Sequence, residues 1–304
     1  MDEDWDCIVV GAGAAGLSAA LVLGRARRRT LVIDAGQQSN LPAEGIGGFL
    51  GADGEAPSDF YERSRAGLEK YPAVSFRAGS IVDGRDTGDG FELTTAEGEL
   101  VNARCVLLAT GMDYRRPSLP GVAERWGRSV FHCPFCHGWE VRDGALGVLD
   151  SGESGEHRAL LLRSWSDDVT LYTNGGPPPT AELGAAGVAV DDRRVLELSG
   201  EGEELAAVRF EDGSARRCDG LLVPVTMHQR SELAARLGAE LADATPLTAD
   251  AVVVDGLGAT SVPGLYAAGD LNGRMPSVAN SVGTGSTAAA AIVQRLASSP
   301  PPER

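Results

Sequence analysis

The sequence is short of positive charge. It carries 27 Lys and Arg against 43 Asp and Glu, a formal net charge of -16 over 304 residues. Nucleic acid and anionic membrane surfaces are therefore not expected partners. The start, Met-Asp-Glu-Asp-Trp-Asp, lacks the basic stretch of a secretory leader. Residues 7–24 run uncharged for a span-like length, but Gly11, Gly13, Gly16 and Gly24 interrupt them. That pattern suits a buried strand, turn and helix better than a membrane helix. A soluble, cytoplasmic protein with no membrane partner is the expectation. Five cysteines are an odd number, which argues against a full disulfide framework. Cys7, Cys105 and Cys218 stand singly in apolar or strand-like segments and read as small buried hydrophobes. With 43% hydrophobic and 23% charged residues, the rest is ordinary globular composition, and the length suggests two domains.

Residues 5–34 read strand, glycine turn, helix, strand. The run Asp6 to Val10 is followed by Gly11-Ala12-Gly13-Ala14-Ala15-Gly16, an apolar helix from Leu17, and the strand Thr30 to Ile33 closed by Asp34. This order implies a parallel sheet with a right-handed crossover. Ser58 to Lys70 has helical composition, and residues 73–108 read as short strands. After Pro117 and Pro120 the pattern begins again. Leu146 to Leu149 reads as a strand, His157 to Arg163 as a helix, Val169 to Tyr172 as a strand, and 188–225 as short strands. The chain is expected to return to the first domain near residue 246, through Val252 to Val254, Gly264 to Ala268 and a last helix around 286–296. The tail from Ser298 reads as disordered. The domains expected are 1–114 with 246–304, and an inserted 115–245.

Gly11-x-Gly13-x-x-Gly16, at a strand-to-helix turn with an acid closing the next strand, is a dinucleotide pattern. Gly11 permits the turn, Gly13 lets the pyrophosphate approach backbone, Gly16 allows close helix packing, and Asp34 can accept from ribose hydroxyls. The helix start offers free N–H groups to phosphate.

Phe131-His132-Cys133-Pro134-Phe135-Cys136-His137-Gly138-Trp139-Glu140 is the most informative stretch. Two cysteines three apart at a helix start can form a small, reducible disulfide, and the helix end and nearby histidines would favour thiolates. Cys-x-x-Cys-His is also the haem attachment pattern, but no other haem feature accompanies it. Zinc would need four ligands within six consecutive residues, and no second Cys-x-x-Cys exists. A structural disulfide does not suit a cytoplasmic chain. Redox catalysis is the reading kept.

Ala109-Thr110-Gly111 and Gly269-Asp270, taken with the first glycine motif, resemble the FAD-domain signatures of flavoprotein disulfide reductases. The whole chain resembles the low-molecular-weight thioredoxin reductases. Its cysteine motif is similar to that of the dithiol oxidases of disulfide natural products, of gliotoxin and holomycin oxidase type. The resemblance implies an α/β fold of two Rossmann-like, three-layer ββα domains, the second inserted in the first. It implies FAD, a homodimer, Asp270 on the ribityl chain, Ser277 and Val278 among the cofactor-binding residues, and a helix after Gly283 facing the flavin pyrimidine. It further implies that Cys136 lies nearer the flavin and that substrate attacks Cys133. Typical thioredoxin reductases carry Asp where this chain has His137. His137 is the first candidate for proton transfer, with His132 and Glu140 behind it.

Family members bind NADPH through a second glycine motif in the inserted domain. Here Asp150-Ser-Gly152-Glu-Ser-Gly155 keeps two glycines and replaces the first with an acid. The next strand ends Thr173-Asn174-Gly175, where the family pattern has a His-Arg-Arg cluster for the 2′-phosphate. The leading expectation is an FAD-dependent oxidase of a small-molecule dithiol, with oxygen as acceptor and hydrogen peroxide as product. The alternatives are a thioredoxin-disulfide reductase fed by NADPH or ferredoxin, and a non-catalytic redox sensor.

Overall fold

The computed structural model describes residues 5–179 and 183–298. Apart from Ser298, which ends a helix, the tail expected to be disordered lies outside the described residues. Along the chain run β1 (Trp5–Val10), α1 (Ala14–Arg25), β2 (Thr30–Asp34), α2 (Pro57–Ala66), β3 (Val74–Ala78), β4 (Ile81–Asp86), β5 (Phe91–Thr95), β6 (Leu100–Leu108) and β7 (Met112–Arg115). Next come α3 (Val122–Arg125), β8 (Val130–Phe131), α4 (Pro134–His137), β9 (Ala145–Leu149), α5 (Gly152–Leu162) and β10 (Asp168–Tyr172). They are followed by β11 (Val188–Asp191), β12 (Val195–Ser199), β13 (Ala207–Phe210), β14 (Ala215–Arg217) and β15 (Gly220–Leu222). The last are β16 (Thr226–Gln229), α6 (Leu233–Arg236), β17 (Leu265–Ala267) and α7 (Val278–Ser298).

The chain divides into two compact units. The first comprises the chain up to Leu41, Pro57–Tyr114 and the chain from Thr226 on; the second comprises Pro42–Ala56 and Arg115–Val225. In the first unit, parallel strands run in the order β3-β2-β1-β6, and β17 pairs with the far half of β6. The near half of β6 continues into the antiparallel meander β6-β5-β4. The strand sequences account for this. Cys7 to Val10 are all buried, as expected of a parallel strand covered on both faces. Phe91 to Thr95 alternate buried and half-buried, as suits an antiparallel layer covered on one face.

The second unit repeats the plan. Its parallel sheet runs β11-β10-β9-β15-β8, beside an antiparallel sheet β12-β13-β14. Each unit thus pairs a parallel sheet with a three-stranded antiparallel layer, with a helix connecting two neighbouring strands of the parallel sheet. This is the expected α/β architecture of two Rossmann-like ββα units, one inserted in the other.

Several boundaries differ from the sequence expectation. The chain returns to the first unit at Thr226, ahead of residue 246, because β16 pairs with β7 and so belongs to that unit. Residues 42–56 go with the inserted unit: a Cβ at Gly47 would stand 2.4 Å from the Cys136 carbonyl oxygen. Val252 makes only an isolated bridge to Leu241, not the strand expected over 252–254. Helix α7 starts at Val278, so Gly283 lies inside it instead of before it. Among the described residues no helix is long and apolar enough to cross a membrane.

Helix α7 packs tightly on α1. A Cβ at Gly285 would lie 2.1 Å from the Ala15 carbonyl oxygen, which is backbone and cannot swing aside. Gly285→Val is therefore expected to lower stability by about 1–3 kcal/mol through overpacking. Because α1 opens at the nucleotide turn, the variant should also purify with less bound flavin. Thermal melting and the flavin-to-protein absorbance ratio check both.

Candidate active site

In the first unit the glycines do three different things. A Cβ at Gly16 would fall 1.9 Å from the Gly11 carbonyl oxygen, and one at Gly11 only 2.4 Å from that of Ala109. Both positions are closed to a side chain by backbone. Gly13 differs: a Cβ there would meet only the Gln38 side chain, at 3.8 Å. It is the N-cap of α1, makes no side-chain cap, and no acid follows in the first turn. The backbone here is bare and approachable, as a pyrophosphate requires. Ala14 and Ala15 are the first helical residues, both buried. Asp34 accepts from the Ala12 N–H at 2.9 Å and from Gln38 Nε2 at 3.3 Å.

Ala109, Thr110 and Gly111 follow β6, and Gly111 takes a positive φ of 66°. Gly269 and Asp270 follow β17, with the Gly269 N–H donating to Thr284 Oγ1 at 3.0 Å. The Asp270 carboxyl accepts from Tyr114 Oη at 2.8 Å and Ser281 Oγ at 3.4 Å. Burial pushes its pKa up against the pull of those two donors. Ser277 sits at the start of α7 and its Oγ accepts from the Asn280 N–H at 3.1 Å, with Val278 as the first helical residue. The first unit thus gathers the predicted cofactor residues onto the ends of β1, β2, β6 and β17 and the starts of α1 and α7. Tyr114 was not legible beforehand, since nothing local in Met112-Asp-Tyr-Arg marks it as a partner for Asp270.

In the second unit, Cys133 is the N-cap of the single-turn helix α4, with Pro134 opening the helix and Cys136 in it. The Cys136 N–H donates to the Cys133 carbonyl at 3.2 Å. The Cys136 side chain, with help from the Cys136 and Phe135 backbone N–H groups, pulls the Cys133 pKa below its ordinary value despite burial. A helix start favours a thiolate in this position. Cys7, Cys105 and Cys218 behave oppositely: all three are buried, and burial raises each thiol.

The two histidines flank the pair in apolar surroundings. His137 stacks on Phe131 with ring centroids 5.6 Å apart and planes within 10°. Neither of its buried ring nitrogens has a hydrogen-bond partner. Burial lowers its pKa, against the backbone of Cys133 and Gly127, which pull it up. His132 stacks on Trp126 at 5.8 Å. Burial, then nearby His137 and Arg158, push its pKa down to about 4. Both imidazoles are thus held neutral at physiological pH. Glu140 stands exposed beyond the helix, beside an exposed Trp139 whose ring carries the Arg142 guanidinium at 3.9 Å. It is placed in solvent, unlike the two histidines.

At the end of β10, Asn174 has a positive φ of 52° and its Oδ1 accepts from the Val195 N–H at 2.8 Å. Arg194 comes over from the turn before β12 and packs on Gly175, where a Cβ would lie 2.7 Å from the guanidinium Nε. The sequence offered no cation at this strand end; the fold brings one from another element. No group of His, Cys, Asp or Glu among the described residues could hold a metal ion.

Two outcomes follow from these environments. Replacing Cys136 by Ala removes the main group that acidifies Cys133, so alkylation of Cys133 by iodoacetamide should shift its pH midpoint upward. The rate–pH profile of the reduced protein checks this. His132 has a folded pKa of about 4 against an ordinary value of 6.5. Its contribution to stability is full above 6.5 and is lost as pH falls toward 4. His132→Asn should flatten the fall of the melting temperature across that window.

A family model described as pyridine nucleotide-disulphide oxidoreductase matches residues 5–285. A thioredoxin reductase of Claviceps purpurea, tcpT, is 34% identical over 93% of this chain and 91% of its own length. Among solved structures, HlmI superimposes with a TM-score of 0.89 at 37% identity, over 98% of this chain and 95% of its own. An oxidoreductase from Agrobacterium tumefaciens gives a TM-score of 0.91 at 34% identity, over 98% of this chain and all of its own. FAD is the cofactor these relationships supply, and the bare turn at Gly13 with the half-buried Asp270 suits it. The chain belongs to the pyridine nucleotide-disulphide oxidoreductase family, as a thioredoxin reductase-like flavoprotein.

Proposed function

We propose that this protein is a dithiol oxidase that closes an intramolecular disulfide in a small molecule. The observation that carries the reading is the placement of Cys133 as the N-cap of α4 with Cys136 in the same single turn, where a Cys133 thiolate is favoured. Stabilising a thiolate stabilises the reduced pair, and that makes the corresponding disulfide a stronger oxidant. Exposed Phe135 and Trp139 beside the motif suit an apolar substrate.

One substrate thiolate attacks Cys133 Sγ of the Cys133–Cys136 disulfide, forming a mixed disulfide and releasing Cys136 as thiolate. The second substrate thiol then attacks the substrate sulfur of that mixed disulfide. Cys133 leaves, which its low pKa favours, and the substrate departs as a cyclic disulfide two electrons poorer. His137, next to Cys136 in the chain and kept neutral by burial, is the candidate to take a proton from an incoming thiol through its unprotonated ring nitrogen. FAD would be held by Gly11, Gly13, Gly16, Asp34, Thr110, Asp270 and the start of α7, and would supply the two-electron acceptor that returns the Cys133–Cys136 dithiol to the disulfide, with oxygen as the final acceptor and hydrogen peroxide as product.

The names of the relatives favour a second reading, reduction of a protein disulfide such as that of thioredoxin, with electrons from NADPH. The direction of flow separates the two. Asp150 stands where the second glycine motif would begin, and Thr173 and Asn174 where its cations would stand. Under anaerobic conditions a suitable dithiol should bleach the bound flavin, NADPH should not, and Cys133→Ser should abolish bleaching. Oxygen uptake across a panel of dithiols measures turnover. Rapid stoichiometric bleaching by NADPH sinks the oxidase reading.

A further inference from the structure

The start of α5 is the counterpart, in the inserted unit, of the phosphate-binding start of α1. Each helix connects two neighbouring parallel strands, α1 joining β1 to β2 and α5 joining β9 to β10, and both open at a glycine-bearing turn. Their N–H groups meet different fates. At α1 the N-cap backbone is bare, as described above. At α5 the first groups already have acceptors within the protein. The Ser151 N–H donates to Asp150 Oδ1 at 2.8 Å. The Gly152 N–H donates to the Pro177 carbonyl at 3.0 Å.

The second carboxylate oxygen of Asp150 is held as firmly. Asp150 Oδ2 accepts from Ser154 Oγ at 2.9 Å and from the Arg158 guanidinium, which also donates to Ser154 Oγ. The ion pair is largely shielded, with 16% of the Asp150 side chain and 28% of Arg158 exposed. The loop after β10 closes over the same turn. A Cβ at Gly176 would stand 2.7 Å from Ser151 Oγ, and one at Gly152 would meet Pro177 Cβ at 3.9 Å.

We propose that the phosphate turn of the inserted unit is filled by the protein itself. The Asp150 carboxylate takes the place of a ligand phosphate, Arg158 clamps it there, and the Pro177 carbonyl occupies the next N–H. Resting on the oxidase reading above, this closure sets donor specificity: dinucleotide phosphates are turned away, and the cysteine pair is left to thiols. A phosphate entering the turn would have to displace the carboxylate from its N–H and guanidinium partners, or lie against its charge. Lack of cations at the end of β10 is not the whole cause, since Arg194 packs there on Gly175. The block acts at the turn.

The test uses the flavin-loaded protein with NADPH, NADH and inorganic pyrophosphate as probes, binding being read by equilibrium dialysis. Wild type should show no saturation up to about 1 mM, the weak end of specific binding. Asp150→Gly should bind pyrophosphate and at least one dinucleotide at least about tenfold more tightly, because the N–H groups and Arg158 are then released to an external anion. Asp150→Asn, which keeps the size but drops the charge, should gain less. Arg158→Gln should gain nothing, since it adds neither space nor a cation. Should Asp150→Gly fail to retain FAD, Asp150→Asn decides the matter on the same comparison with wild type. The closure is overturned if wild type already binds as tightly as the Asp150 variants, or if folded Asp150 variants gain nothing. Dithiol-driven oxygen uptake by wild type is measured alongside. A gain in the variants with no dithiol turnover by wild type sinks the oxidase reading and keeps the closure. Turnover without a gain sinks only the closure.

Discussion

The first turns of its helices govern this molecule. A helix leaves its first N–H groups without intrahelical acceptors, and its dipole places partial positive charge at the same end. Something must accept there, and what accepts decides what each helix start can do. At α1 the N-cap is a glycine with no side-chain cap and no acid in the first turn, which leaves the position to a cofactor phosphate. At α4 the N-cap is Cys133, whose sulfur is the group to be acidified. At α5 the acceptors are Asp150 and Pro177. At α7 Ser277 caps conventionally through Asn280, and Asp270 lies one turn further on against Ser281.

The two units show how the same strand–turn–helix frame is turned to opposite ends. In the first, backbone crowding at Gly11 and Gly16 excludes side chains while Gly13 is left open. In the second, the first glycine is gone and a carboxylate has moved onto the helix start. The change also touches the cysteine motif. Arg158 is near enough to His132 to help push its pKa down, and Asp150 is the counter-charge paired with Arg158. The closed turn and the neutral histidines thus belong to one electrostatic neighbourhood within the inserted unit.

Much of this was legible in the sequence, because short-range patterns carry it. The apolar run of β1, the glycine turn, α1 and the acid ending β2 lie within thirty-odd consecutive residues and could be read directly. So could the cysteine motif. What escaped depends on contacts between distant segments. The return at Thr226 follows from pairing of β16 with β7, and neither strand is apolar enough to announce itself. The loop 42–56 has no periodicity, yet Gly47 lies on the backbone of Cys136. Helix α7 starts early because Ser277 caps it, whereas its apolar run, read alone, points to a start eight residues later near 286. Arg194 reaches Gly175 only because β10 and β11 are parallel neighbours.

The direction of electron flow rests on two features that reinforce each other without sharing a residue. A lowered Cys133 pKa favours the reduced pair, which on the proposed oxidase reading inclines the disulfide to take electrons from a thiol. A disulfide of that kind is poorly suited to reducing others, since its dithiol gives electrons up reluctantly. The proposed closure of the α5 turn would remove the competing supply of electrons from a nicotinamide. Either feature alone would leave the direction open: an oxidising pair can still be reduced by a nucleotide, and a closed turn can still serve a reductase fed by another donor. Together they support the proposal that a thiol is the source of electrons. His137 completes the arrangement, because a thiol must lose its proton before it can attack. A neutral ring stacked on Phe131 is the group we propose for that proton.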